Sequence, residues 1–435
     1  MTEDFLQFAW RTLSFRTQNL KTRNQESLRI LEPGTWNRDQ GPDFLNARIK
    51  WAGAEWNGQV EIHLHGDEWF RHGHHRDPMY NSVILHVVFE KGKEAAQRLD
   101  GTRIPELVLG NLLDSTVRSR YESLYNTLGE IPCKSLLNSV PASIRYTWYE
   151  VLFRERIFRK AESIRIESKD ARNSWGQGYW MALAGYFGGI LNGESFRQIA
   201  QQIPWKIIQK ASDNLLQLQA IHLGMSGLLR REDYQDPYEL SLQSEWSFLQ
   251  KKNTLQEIGW LPLKYMRMRP AGFPDIRLAQ LAAFIHSYPE PGYFEGLESW
   301  KKIQKQIPDA GIYWKNHHRL GIPTKSSQQG KAGKEFISLL LLNVLIPLSI
   351  AFRLEQGKAE IAPEEWNFIR SLAPEKNRIT RLFSSCGESP QNALEAQAQI
   401  QLYKNYCLNK KCLSCAVGKY LIAGSGLSQE MLMEG

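Results

Sequence analysis

Cysteine, a leader and long apolar runs are all scarce in this chain, and each scarcity removes a class of protein. There are five cysteines in 435 residues. That odd number, with three crowded near the C-terminus, argues against a disulfide framework and for a reducing compartment. Met1–Phe15 carries Glu3 and Asp4 early and shows no cleavable apolar core. The strongest apolar run, Phe336–Phe352, contains Ser338, Asn343 and Pro347. It falls at the lower limit of the ~17–25 residues needed to span a bilayer, so a buried helix is expected instead. No internal repeat is visible. These absences predict a cytoplasmic protein with no membrane partner.

What is present begins with basic charge. A formal charge of +8 and a pI near 9.1 permit an acidic partner, DNA or RNA, without demanding one. A chain of 435 residues exceeds what a single core usually organises. The pattern predicts an α+β protein: an α/β domain over residues 1–135 with a small mixed sheet, then a mostly α-helical domain over 136–435. Candidate helices are an amphipathic one over 4–14, then 142–168, 175–191, 194–203, 205–230, 243–252, 275–287, 294–306, 333–356, 363–373 and 391–405.

The working site is expected between Asn37 and Glu90, which holds six of the ten histidines. His63, His65, His72, His74, His75 and His86 stand there among Asp43, Glu61, Asp67 and Asp77. Imidazoles and carboxylates are the usual ligands of divalent metals and the usual proton-transfer groups. In GQVEIHLH, alternation sets Val60, Ile62 and Leu64 on one face and Glu61, His63 and His65 on the other. A preceding strand over 44–51 would pair with it through AGAEWN. Joining Gly53 to Trp56 would put Arg48 opposite Glu61 with Lys50 nearby, and would leave Asp43 on the apolar face unless a bulge turned it. His86, inside SVILHVVFE, reads more readily as a satisfied core histidine than as a ligand.

Two further groups carry chemistry. Cys407-x₄-Cys412-x₂-Cys415, with Cys386 upstream as a candidate fourth ligand, has the spacing that holds Zn²⁺ or an iron–sulfur cluster. Cys133, far away in sequence, reads as core. RMRPAGFPDIRLAQLAAF sets Arg267, Arg269 and Arg277 around two prolines, either as a phosphate-binding rim or as a structural corner capped by Asp275.

Two resemblances bear on function. ILEPGTWNRDQGPDFLNARI, WNGQVEIHLHGDEWFRHGHHRDPMY and VILHVV, with RPAGFPDIRLAQLA, LLNVLIP and YCLNKKCLSC, resemble a bacterial family called domain of unknown function 2851. The resemblance extends over essentially the whole chain and brings no activity with it. Separately, GPDF(x₁₆)EIH resembles the PD-(D/E)xK nuclease signature. That likeness implies a restriction-endonuclease-like domain in which Asp43 and Glu61 hold Mg²⁺ or Mn²⁺. His63 occupies the place of the signature's lysine, so Lys50 or Arg48 would have to supply its charge. Arg48, His74, His75, Arg267, Arg269 and Arg277 would then face nucleic acid. Some nucleases of that kind also carry a four-cysteine iron–sulfur cluster. The leading expectation is a metal-dependent nuclease-like phosphodiesterase. The alternatives are a non-catalytic nucleic-acid-binding scaffold and a zinc hydrolase centred on His63 and His65.

Overall fold

The computed structural model describes residues 1–170, 175–231, 233–258, 261–324, 330–358 and 360–433. The chain is α+β: a mixed sheet near the N-terminus followed by a mostly helical part. It divides into two compact units. The first comprises Met1–Val151, Arg378–Ser389 and Gln399–Gly435, and the second Leu152–Asn377 and Pro390–Ala398. The boundary expected at 135/136 assumed units contiguous in sequence. Instead the chain leaves the first unit and returns to it, bringing the C-terminal cysteines with it.

The first unit opens with α1, Glu3–Arg11, whose Thr2 cap accepts from the Phe5 amide. Its strands are β1 (Leu20–Lys21), β2 (Ser27–Glu32), β3 (Thr35–Trp36), β4 (Phe44–Trp51), β5 (Ala54–His65), β6 (Val83–Glu90) and β7 (Glu106–Val108). They form one sheet in the order β1-β2-β4-β5-β6-β7, with β3 pairing to β4. The β2–β4 and β4–β5 pairs are antiparallel, while β5–β6 and β6–β7 are parallel. Both faces of the central strands are buried. On one face α1 lays Leu6 and Trp10 on Phe44, Ala47, Ile49, Val60, Ile62, Leu85 and Val87. The other lies under the crossover from β5 to β6, where Trp69 packs with Val83, Ala96 and Ile104. A helix over Ser115–Asn126 lies in a stretch for which none was expected.

The expected register differs from the observed one. β4 and β5 pair through Trp51 and Ala54, with Arg48 opposite Asn57 and Lys50 opposite Glu55. The tight turn at Ala52 and Gly53, both with positive φ, shortens the connection and shifts the expected pairing. Between Ala47 and Phe44 the register shifts again, at Asn46 (φ 56°). This is the bulge Asp43 needed. Phe44 takes the core face in place of Leu45, and Asp43 turns to the opposite face, beside Glu61. Asparagine tolerates the left-handed conformation at such a position better than most residues.

The second unit is helical, and most of its expected helices are present with shifted ends. Trp175–Gln202 is continuous except at Gly189, whose φ of 62° breaks it where two helices were expected. The single helix expected over 205–230 is two, Trp205–Ala211 and Leu215–Met225, because Asn214 caps the second through the Gln217 amide. Lys334–Glu355 is long and apolar enough to cross a membrane, yet 67% of its apolar window is buried inside the structure. A π-turn over Leu341–Leu345 relieves the backbone ahead of Pro347.

Candidate metal centre

The strand pairings build the site. Glu61 on β5 pairs with His86 on β6, and His86 pairs with Glu106 on β7. Phe44 opposite Val60 brings Asp43 next to Glu61. Asp43, Glu61, His86 and Glu106 therefore form one transverse row across four strands, with His63 two residues further along β5. Glu61, His63, His86 and Glu106 are all buried.

Side-chain contacts join the row into a chain. Arg23 Nη1 faces Glu106 Oε1 at 3.2 Å, and Glu106 Oε2 lies 3.4 Å from His86 Nδ1. His86 Nε2 is 2.9 Å from His63 Nδ1. His63 Nε2 is 3.5 Å from Glu61 Oε1, and His74 Nε2 approaches the same oxygen at 3.3 Å. The hydrogens follow from this order. The Glu106 carboxylate, paired with Arg23, faces His86 Nδ1, a placement that favours the tautomer with the proton on Nδ1. His86 Nε2 is then an acceptor, and His63 must donate to it from Nδ1. The lone pair of His63 Nε2 is left pointing at Glu61.

That leaves acceptor facing acceptor. His74 Nε2 is buried without a hydrogen-bond partner and points at the same oxygen. A proton on Glu61 or a cation would resolve the conflict, and the electrostatics are consistent with this. Burial pushes Asp43 up to about 8, with repulsion from Glu61 and Glu3 adding to it and the Ile62 amide opposing it. Burial likewise pushes Glu61 up to about 8, with Glu3 adding. His63 is pushed down to about 2 by burial and by the imidazoles of His86, His74 and His72. It is therefore neutral throughout the physiological range. His63, His72 and His74 each bring a ring nitrogen within 4.8 Å of the others. Carboxylates beside imidazole nitrogens suit Mn²⁺, Fe²⁺ or Zn²⁺ better than Mg²⁺, which prefers oxygen ligands.

Other groups hold the acids in place. Asp43 Oδ2 accepts from the Ile62 amide at 2.9 Å, and Oδ1 accepts from Gln7 Nε2 at 2.9 Å. The Asp43 amide donates to Glu61 Oε2 at 3.1 Å. Trp69 roofs the imidazoles, edge-on to His74 and tilted over His86, and His74 stacks on Tyr80 at 3.8 Å. Sequence reasoning missed Glu3, Gln7, Trp69, Tyr80 and Glu106 as members of the site. Only Glu3, four residues before Gln7 on α1, carried any signal, since i and i+4 share a helix face. Glu106→Gln removes the carboxylate that sets both tautomers, and titration calorimetry should show divalent metal binding weakened about 10–100-fold.

A model described as "Protein of unknown function (DUF2851)" matches residues 3–378. The chain belongs to the DUF2851 family. No curated protein and no solved structure matches it. The family match ends before Cys386, so that cysteine and the YCLNKKCLSC segment lie outside it.

The remaining expected site residues of this DUF2851 protein lie elsewhere. Lys50 is at the far end of the β4–β5 hairpin, paired with Arg29 and Glu55. Arg48 is held at 2.9 Å by Glu32 on the exposed surface. The expected Arg48–Glu61 apposition is therefore absent, because the shorter turn moves the register. His65 turns away from the cluster and faces Asp67 at 3.6 Å. His75 packs on Phe70. His86, expected in the core, is there, and it also orients His63. In the second unit, Arg277 lies over the Phe336 ring at 3.9 Å and donates to Gln280, a packing role. Asp275 is buried and accepts from Tyr265 and the Leu320 amide, so it ties the corner together without being the cap, which falls at Phe273. Arg267 and Arg269 are exposed.

Proposed function

We propose that this protein is a divalent-metal-dependent phosphodiesterase acting on nucleic-acid strands. In this reading Asp43, Glu61, His63 and His74 hold the metal. The observation that carries it is Glu61 Oε1, faced by His63 Nε2 at 3.5 Å and His74 Nε2 at 3.3 Å, with Asp43 alongside. When bound, a divalent ion would polarise a phosphoryl oxygen and lower the pKa of a water. The chain's own contribution is to orient: Glu106 and His86 aim His63, Gln7 and the Ile62 amide aim Asp43, and Trp69 excludes water from one side.

Further support comes from a cavity of about 350 Å³ that shares Gln7 with the site. Its walls include Arg11, Lys410 and Lys411 with Trp36, Tyr121 and Tyr125. Cations for phosphates and aromatic faces for bases are the recurring lining of single-strand grooves. The order of α1, an acidic residue opening a strand and Glu-x-His on its neighbour resembles PD-(D/E)xK nucleases. The departure at His63 has a consequence. A neutral, buried imidazole adds a ligand instead of a charge, so activity should favour Mn²⁺ over Mg²⁺.

The test is cleavage of labelled single- and double-stranded oligonucleotides with Mg²⁺, Mn²⁺ or Zn²⁺, beside binding at increasing salt. Mn²⁺-dependent cleavage is expected. Salt-sensitive binding without cleavage under any ion would overturn the enzymatic reading and leave the scaffold. A second reading, a zinc hydrolase of small molecules, draws on the grouping of His63, His72 and His74. It predicts stoichiometric Zn²⁺ lost in His72→Ala and no strand cleavage.

The raised carboxyl groups give a pH signature. Below about 8 the Asp43–Glu61 pair retains protons that a metal must displace, so Mn²⁺ affinity should climb as pH rises from about 6 and level off above about 8. The slope should approach about tenfold per pH unit for each proton displaced. Metal-free protein should do the reverse. In the unfolded chain these carboxyls ionise near about 4, whereas the folded state keeps them protonated, so stability falls as pH rises through that window. Calorimetry at several pH values, with and without Mn²⁺, checks both signs.

A further inference from the structure

The cysteines also meet, but in a different combination from the one their spacing suggests. One small apolar cavity in the first unit is lined by Cys133, Cys407, Cys412 and Cys415, closed by Leu137 and Phe383. Cys386 is not among its walls. The Cys386 thiol instead donates to the Leu382 carbonyl at 3.1 Å.

Cys415 is buried and stands immediately before the helix Ala416–Ala423. Trp148 is wholly buried and its Nε1 has no hydrogen-bond partner. Gly418 is obligatory here, since a Cβ would stand 2.1 Å from the Cys412 carbonyl oxygen. Four cysteines lining one apolar cavity bind a metal only as thiolates, and thiolates in an apolar pocket need a cation. Burial alone raises the thiols of Cys133, Cys407, Cys412 and Cys415, so without such a cation the four stay protonated and inert.

We infer that Cys133, Cys407, Cys412 and Cys415 form a four-thiolate metal centre, and that Cys386 is not a ligand. Thiolates of this kind take Zn²⁺ or an iron–sulfur cluster. Among the described residues, no three cysteine sulfurs fall within 4.8 Å of one another, a grouping met only by His63, His72 and His74. The centre would tie the returning C-terminal segment to the segment that follows the sheet.

The test is elemental analysis and an absorption spectrum of full-length protein purified anaerobically, for wild type, Cys386→Ser and Cys133→Ser. Wild type should carry stoichiometric iron with visible absorption, or zinc without it, and either ion supports the centre. Cys386→Ser should keep the wild-type metal content and spectrum, whereas Cys133→Ser should lose most of the metal. Metal-free wild type, loss of metal in Cys386→Ser, or full retention in a folded Cys133→Ser would each overturn the assignment. If Cys133→Ser does not fold, the wild-type and Cys386→Ser measurements still decide it.

Discussion

Asp43→Asn and Glu61→Gln should each lower Mn²⁺-dependent strand cleavage by about 10³-fold, the scale on which a metal or preorganised charge stabilises a transition state. Each variant retains shape and hydrogen-bonding capacity. The side-chain amide oxygen introduced at position 43 can still accept from the Ile62 N–H, and the one introduced at position 61 from the backbone N–H of residue 43. What each loses is the negative charge, and with it metal affinity. A second readout separates this from a structural role. Burying a carboxyl that must ionise at high pH is unfavourable, so the amide variants should be more stable than wild type at about pH 8 without metal. Mn²⁺ should then raise the melting temperature of wild type but not of the variants. Lost cleavage together with lost stability and an unchanged Mn²⁺ response would show that the pair serves packing alone.

Trp69→Ala should destabilise the protein by about 3–5 kcal/mol, the usual cost of emptying a large buried aromatic site. Trp69 is completely buried, donates its indole N–H to the Gln97 carbonyl at 3.0 Å, and packs on Val83, Ala96 and Ile104. It also covers His74 and His86. The loss should appear in urea unfolding monitored by circular dichroism. It should exceed that of Trp69→Phe, which keeps most of the contact and loses the hydrogen bond. Water admitted beside the imidazoles should bring the His63 pKa up toward the ordinary histidine range, visible as a new imidazole titration by NMR. A change below about 1 kcal/mol would mean that the crossover does not seal this face.

Much of the site was legible because alternation is local. GQVEIHLH has only one way to lie in a strand with Val60 and Ile62 inside, and that places Glu61 and His63 on a common face. Asp43 was legible as a partner, though its orientation hung on whether a bulge occurred. Asn46 is the residue that permits one, but an asparagine in a strand is compatible with either register. The Arg48 placement failed for a related reason, the length of the turn. Glu106 and Gln7 were out of reach. Their contacts with His86 and Asp43 join segments far apart in sequence, and no periodicity reports a parallel pairing or the seat of a helix on a sheet.

Three properties need no coordinates: the α+β class with a mixed sheet before the helices, membership of DUF2851, and the residue types crowded into Asn37–Glu90. Hydrophobic periodicity sets the first, the likeness of whole segments to the family sets the second and local composition the third. Which imidazole faces Glu61 and which faces Glu106 emerges only on folding, because it depends on pairings among several strands. The same holds for Cys133 and its place among the C-terminal cysteines. Burial and proximity are properties of the folded chain, so a cysteine separated in sequence from its partners by the whole helical unit reveals them only once the chain has returned.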